Sequence, residues 1–183
     1  MTESLGTLDA VPAASRPDLL ATPVALLLDG WGRAGDVLVA EIDPELADTA
    51  AFCERYGVGL DRSANCVVVE GRRADTRTLA ACVVLATTRA DVNGAVRRRL
   101  DARKASFAAM EAAVASSAME YGGITPLGLP PDWPVLVDAA VAAAGTVVVG
   151  SGLRRSKLLL PGAALLELPG AELVDGLARE VES

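Results

Sequence analysis

Apolar residues change their spacing several times along the chain, which predicts both helices and strands. The first segment has helical spacing and ends at Gly30 and Gly32. Residues 36–42 follow as a strand. Asp43 and Pro44 then supply an N-cap and a first-turn proline for a helix that Gly57 ends. A helix, a strand and a second helix are therefore expected before residue 60.

The middle of the chain predicts a hairpin. Two apolar, β-branched runs, residues 64–70 and 76–87, are separated by a Gly-Arg-Arg turn. Asp91 is positioned to cap a short helix, and residues 104–105 are predicted as a strand before a helix over residues 106–117.

The last third predicts mostly strands, at residues 135–137, 146–149 and 157–160, with a short helix opening at Pro161. Strands and helices do not alternate strictly, so a doubly wound parallel sheet is disfavoured. The predicted fold class is α/β of the α+β type, with a mixed, largely antiparallel central sheet surrounded by helices. Residues 1–17 lack apolar periodicity and are predicted as a loose N-terminal arm, and residues 18–183 as a single domain.

Composition narrows the class of protein. Apolar residues make up 51% of the chain and aromatic residues only 3%, so the core is expected to consist of valine, leucine and alanine. No apolar run is long enough to cross a membrane, and no basic segment of a signal peptide follows Met1. A cytoplasmic protein without membrane association is expected.

The residue inventory excludes several chemistries. The chain has no histidine, which excludes Ser-His and Cys-His nucleophiles and histidine metal centres. Cys53, Cys66 and Cys82 lack the spacing of a metal site and are expected to be buried thiols. Neither a metal nor another cofactor is predicted. The net charge of −7 argues against broad, non-specific nucleic-acid binding, so an RNA partner would need a local basic patch.

Two glycine-containing stretches are candidates for a binding site. Residues 120–130, Glu-Tyr-Gly-Gly-Ile-Thr-Pro-Leu-Gly-Leu-Pro, link a helical segment to a strand. Glycine lets other atoms approach the backbone closely, and proline fixes the chain on either side. Residues 149–154, Val-Gly-Ser-Gly-Leu-Arg, contain Gly-x-Gly after a strand but lack the third glycine and the helix of a nucleotide-binding fingerprint. This second stretch is either a tight turn or a loop that borders a cleft.

Charged residues give further candidates, each with a plain alternative. Arg154, Arg155 and Lys157 form one basic cluster, and residues 97–99 with 103–104 form another. They are either solvated surface or, if they share one side of the fold, a phosphate-binding surface. Asp138 follows a strand, where it is either a helix cap or a pocket residue.

The order Gly122-Gly-Ile-Thr-Pro-Leu-Gly128, followed by Pro134-Val-Leu-Val-Asp138 and the turn Gly150-Ser-Gly152, resembles the YbaK/ProX family of aminoacyl-tRNA editing domains. The resemblance covers about residues 49–172. It implies a YbaK-like fold and hydrolysis of the ester of a mischarged tRNA, in trans or as an insert in prolyl-tRNA synthetase. In that family the loop grips the amino acid and the terminal adenosine. The implied substrate-binding residues are Gly122, Gly123, Thr125, Pro126, Gly128, Asp138, Gly150 and Gly152.

The family also uses a lysine on an early strand for deacylation, and here the matching position is Asn65. Asparagine carries no charge with which to stabilise an oxyanion. Either Asn65 orients the substrate, another cation such as Lys157 serves, or hydrolysis has been lost. Asn65 and Lys157 are therefore the catalytic candidates, and Arg154, Arg155 and Lys104 the candidates for tRNA binding.

The leading hypothesis is a deacylase acting in trans on the acceptor end of tRNA charged with a small amino acid such as alanine, cysteine or serine. The alternative is a catalytically impaired module that binds aminoacyl-tRNA or a related small ligand. A third possibility is an interaction protein that dimerises through an apolar surface. A monomer or a homodimer fits each of the first two.

Overall fold

The computed structural model describes residues 3–181. The helices are α1 (Thr22–Gly30), α2 (Thr49–Tyr56), α3 (Arg97–Arg99), α4 (Met110–Ser117) and α5 (Ala139–Ala143). The strands are β1 (Ala10–Pro12), β2 (Leu38–Glu41), β3 (Ala64–Arg73), β4 (Thr76–Leu85), β5 (Thr88–Ala90), β6 (Lys104–Phe107), β7 (Val135–Asp138), β8 (Thr146–Gly150), β9 (Ser156–Pro161), β10 (Ala171–Val174) and β11 (Ala178–Glu180). Short 3-10 turns connect many of them, and a π-helical turn at Val92–Val96 precedes α3.

The strands form two main sheets and a small ribbon. One sheet has the order β1-β2-β9-β8 and is antiparallel throughout. The other has the order β10-β7-β4-β3-β6, in which β7 runs parallel to both of its neighbours. β11 and β5 form the ribbon. The prediction of a mixed, largely antiparallel α/β fold is confirmed, although the strands divide between two sheets.

Alternation along the strands distributes side chains between separate clusters. In β9, Leu158 and Leu160 enter the main core between the sheets, while Leu159 packs on the opposite face with Phe52 of α2. Because successive side chains of a strand point to opposite faces, Lys157 lies on the same face as Leu159, towards α2. The core contains few aromatic residues and many valines and leucines, as the composition predicts.

Two predicted helices are shorter than expected. The helix expected from Asp43 is divided: Asp43 caps a 3-10 turn at Pro44–Leu46, and α2 begins only after a second cap, Asp48, whose side chain accepts from Ala50 N at 3.1 Å. The helix expected over residues 106–117 begins at Met110 because Ser106 and Phe107 pair with β3.

The segment expected to be a loose arm contributes to the fold. Residues 10–12 pair with β2, and Leu8 and Ala13 are buried. Met1 and Thr2 of that predicted arm lie outside the described residues, as do Glu182 and Ser183 at the end of the predicted domain. Within residues 3–181, no helix has the length and apolar character needed to cross a membrane.

Candidate active site

A cleft of about 810 Å³ opens where the two sheets meet α2 and α4. Residues 69–72 of β3 pair with β6, and Val68 O accepts from Ala108 N at 2.9 Å, so residues 64–67 leave the early part of β3 uncovered on that side. This part of β3 forms one wall of the cleft, and β8, β9 and the loop after α4 form the other. The lining residues include Asp48, Thr49, Asn65, Val68, Phe107, Met110, Tyr121, Gly122, Ile124, Gly150, Arg154 and Lys157.

Lys157 enters the cleft from β9 and is only 9% exposed. Its Nζ donates to the carbonyl oxygen of Ala47 at 3.1 Å and lies 5.3 Å from the ring centroid of Phe52. Burial lowers the pKa of Lys157, because the charged form loses hydration. An ammonium group has three donors. With one donor bound to Ala47, the remaining donors are available to a ligand.

Asn65 lines the same cleft from β3, and its orientation is fixed by a neighbour. Thr49 Oγ1, at the start of α2, donates to Asn65 Oδ1 at 2.7 Å. With the amide oxygen occupied, the NH₂ group of Asn65 is the end left to act as a donor. The cleft therefore contains a neutral donor at the position where the resemblance expects a lysine, and a cation on a different strand.

The glycine loop borders the cleft through a close backbone contact with β8. Gly123 N donates to the carbonyl oxygen of Glu120 at 3.0 Å, and Gly123 O accepts from Gly152 N at 2.8 Å. A side chain at Gly150 would overlap Gly123 O, so glycine is required there. The Gly123 N–H is thus used by the turn and cannot stabilise an oxyanion. Gly122 N–H has no partner within residues 3–181 and lies at the cleft.

Other predicted residues of the two glycine-containing stretches do not line the cleft. Thr125 and Pro126 are buried and do not line the cleft. Gly128, at φ +83°, packs against the backbone of Pro23, and Gly152 lies against the side chain of Ala21. Of the predicted substrate-binding glycines, Gly122 and Gly150 line the cleft, whereas Gly123, Gly128 and Gly152 do not.

The remaining predicted site residues are dispersed. Arg154 lines the cleft and donates to the carbonyl oxygens of Pro44, at 3.0 Å, and Tyr121, at 3.3 Å. Arg155 instead donates to Asp18 O on the other side of the loop, and Lys104 is exposed at the start of β6. Asp138 caps α5, accepting from Ala140 N at 2.9 Å and from Ala178 N at 3.0 Å. These contacts match the capping alternative for Asp138.

The cysteines have the character of structural thiols. Burial is the main cause that raises the pKa of Cys66 and of Cys53, and it raises the pKa of Cys82 to about 12. The thiolate, which is the reactive form, is therefore scarce at neutral pH. No group of three or more Cys, Asp or Glu side chains within residues 3–181 is arranged to hold a metal ion.

Comparison with protein families bears on this cleft directly. The family model for the aminoacyl-tRNA editing domain matches residues 43–168, which include both cleft walls and the glycine loop. The chain belongs to the aminoacyl-tRNA editing domain family. None of the curated proteins compared matches the chain.

Solved structures support the fold of this editing domain. A candidate trans-editing enzyme for prolyl-tRNA synthetase has a TM-score of 0.73 at 20% identity, over 88% of this chain and 97% of that one. A scaffold protein used to present linear epitopes has a TM-score of 0.72 at 21% identity, with the same coverage. A hypothetical protein matches with a TM-score of 0.68 at 18% identity, over 77% of this chain and 90% of that one. At these identities the likeness concerns the fold.

Sequence reasoning missed several residues of the editing domain's cleft. Thr49 gives no local signal, because its partner Asn65 is 16 residues away. Phe107 and Tyr121 are large and exposed at the cleft, 67% and 62% respectively, and an exposed aromatic residue is recognisable only in the structure. Their exposed rings give the rim of the cleft an apolar surface.

Proposed function

We propose that this editing domain is an aminoacyl-tRNA deacylase that acts in trans on tRNA charged with a small amino acid such as alanine, cysteine or serine. The observation that carries the proposal is the presence of buried Lys157 in the same cleft as Asn65 and Gly122. A protein of this kind would meet charged tRNA in the cytoplasm.

The chemistry required is modest, because an aminoacyl ester is already activated. Water attacks the ester carbonyl carbon and the carbonyl oxygen becomes negatively charged. The carbonyl double bond then re-forms, the bond to the ribose oxygen breaks, and the proton lost by the attacking water reaches that ribose oxygen. Donors placed around the developing oxyanion stabilise the transition state. Lys157, Asn65 and Gly122 line the cleft, and their ammonium, amide NH₂ and backbone N–H are the donors that we assign to this role.

The direct test is turnover. Purified protein is incubated with tRNA charged with labelled alanine, cysteine or serine, and release of the amino acid is followed. We expect ester loss faster than in buffer for at least one of the three. Rates equal to buffer for all three charged tRNAs would overturn the assignment as a hydrolase.

The second candidate function is a binding module without hydrolysis. It is favoured by one observation: Asn65 is neutral and its amide is held by Thr49, where the resemblance expects a catalytic lysine. Such a module would bind a non-hydrolysable aminoacyl-adenosine analogue while leaving charged tRNA intact. Binding and turnover measured on one preparation separate the two functions.

Thr49 gives a prediction specific to the cleft. Thr49→Val removes the hydroxyl but keeps the shape, so the amide of Asn65 loses its fixed orientation. A hydrogen bond contributes about 0.5–1.5 kcal/mol, so we expect deacylation to slow about two- to twelvefold. Thr49→Ser, which retains the hydroxyl, should restore most of the rate. Equal rates for the valine and serine variants would show that the amide needs no such partner.

A further inference from the structure

A row of three cations crosses the sheet next to the cleft. In the β3–β4 ladder Arg72 is directly opposite Arg77, and in the β3–β6 ladder it is directly opposite Lys104. All three residues are exposed. Directly opposite residues point to the same face of a sheet, with Cβ atoms about 4.5–5.5 Å apart. We call Arg77, Arg72 and Lys104 the basic row.

The basic row is costly for the fold. Like charges directly opposite each other in a sheet are destabilising. Arg72 is paired with Glu70, but Arg77 and Lys104 have no acidic partner within residues 3–181. The two-stranded ribbon also places Arg89 opposite Arg179, yet there Arg179 is paired with Asp91 at 2.9 Å. The basic row therefore contains three cations, and one carboxylate, that of Glu70, is paired with them.

The surroundings reinforce the charge. Residues 70–78 and 97–104 contain eight of the chain's 17 basic residues but only three of its 24 acidic residues. The exposed Arg103 lies next to the row, because its backbone N–H donates to the carbonyl oxygen of Arg72 at 2.9 Å. A protein with a net charge of −7 therefore concentrates positive charge on one corner of its surface. Such a local concentration is the electrostatic footprint of a polyanion-binding surface.

The position of the row identifies the polyanion. β3 contains both Val68, which lines the cleft, and Arg72 of the basic row. The two residues are four apart on one strand, so their side chains point to the same face about 13 Å apart. A chain of phosphates whose last nucleotide occupied the cleft would therefore continue directly onto the row. Resting on the proposed function, we infer that the basic row binds backbone phosphates of the tRNA whose acceptor end enters the cleft.

Binding of uncharged tRNA at varied salt tests this surface separately from catalysis. The triple variant R72Q/R77Q/K104Q removes the row, and R55Q/R89Q/R179Q removes the same number of positive charges from exposed positions elsewhere. Each phosphate contact contributes about 0.7–0.9 to the slope of log K against log salt concentration. For the row variant we expect a slope smaller by about two and affinity at low salt reduced at least tenfold. For the control variant we expect values near those of the wild type.

A second arm distinguishes failure of the surface from failure of the proposed function. A short substrate, aminoacyl-adenosine, reaches the cleft without touching the row, so the row variant should hydrolyse it at the wild-type rate. If the row variant kept the wild-type affinity for tRNA and the wild-type salt dependence, the basic row would not be a tRNA-binding surface, and the proposed hydrolysis would be unaffected. If the row variant lost binding to phosphatidylserine vesicles but bound tRNA like the wild type, the inference would be wrong and the row would be a membrane-binding surface. A melting temperature at low salt equal to or above that of the wild type would confirm that the row variant is folded.

Discussion

Replacing Lys157 with methionine is expected to lower kcat for deacylation by about 100- to 1,000-fold, the effect of removing one donor from an oxyanion site. Methionine keeps the length and apolar stem of the side chain but removes the charge. Lys104→Met is the matched control, because it removes the only other lysine from an exposed position. With the short substrate aminoacyl-adenosine, the control should match the wild type.

A rescue experiment makes the same prediction sharper. If Lys157 supplies the cation that the resemblance places on β3, then adding Asn65→Lys to Lys157→Met should return part of the lost rate. Asn65 and Lys157 line the same cleft, so a lysine at either position would bring a charge to it. A Lys157→Met variant that keeps its rate within a few-fold would show that this lysine does not take part in hydrolysis.

Protonation of Lys157 sets the pH dependence of its contribution. Since burial lowers its pKa, the ammonium is present below that lowered value and is lost as pH rises through it, earlier than in an ordinary lysine. In the unfolded chain Lys157 keeps its proton up to its ordinary pKa of about 10.5. The destabilisation caused by burying the charged form therefore disappears as pH rises from the lowered pKa to about 10.5. Lys157→Met should therefore gain stability over the wild type at low pH and lose that gain towards about pH 10.5. Thermal unfolding at several pH values measures this difference.

Replacing Gly123 with alanine is expected to reduce deacylation at least about 100-fold. A Cβ at this position would be 2.7 Å from the carbonyl carbon of Leu153, and backbone cannot move aside as a flexible side chain can. The loop would have to shift away from the turn between β8 and β9 that contains Leu153, and displacement of a binding loop by about 1 Å can cost a factor of about 100. The shift would also break the hydrogen bond from Gly152 N to Gly123 O.

Gly35→Ala is the control for this substitution, because a Cβ there would meet no atom within 4 Å. Gly150→Ala tests the position of the same loop through a second contact, since its Cβ would overlap Gly123 O. Both loop variants should lose activity while keeping a cooperative thermal transition. Full activity in Gly123→Ala would mean that the loop does not position the substrate.

The sequence predicted the fold well where the signal was local. Alternating and continuous apolar runs identified the β3–β4 hairpin and strands β7, β8 and β9, and the loop order identified the family. One error lay where two local signals competed. Asp43 and Asp48 are both effective caps, and only the second begins the longer helix.

The candidate site was less predictable because its members meet only through tertiary structure. The sequence made Lys157 a catalytic candidate and Lys104 a tRNA-binding candidate, but only the structure shows that Lys157 is buried against Phe52 while Lys104 is exposed. Thr49 and Asn65 are on different elements, and the basic row depends on strand register. The sequence of a single strand does not show which residues of its two neighbouring strands lie opposite it.

The meeting of two sheets at one cleft has an evolutionary consequence. β3 belongs to one sheet and β9 to the other, yet side chains of both reach the same space. If Lys157 has the proposed role, a cation acquired on one strand would relieve selection on a cation carried by the other, so that the charge could pass between sheets without an inactive intermediate. Members of this family that lack a lysine on β3 should therefore be searched for a basic residue on the strand that corresponds to β9 before they are classed as inactive.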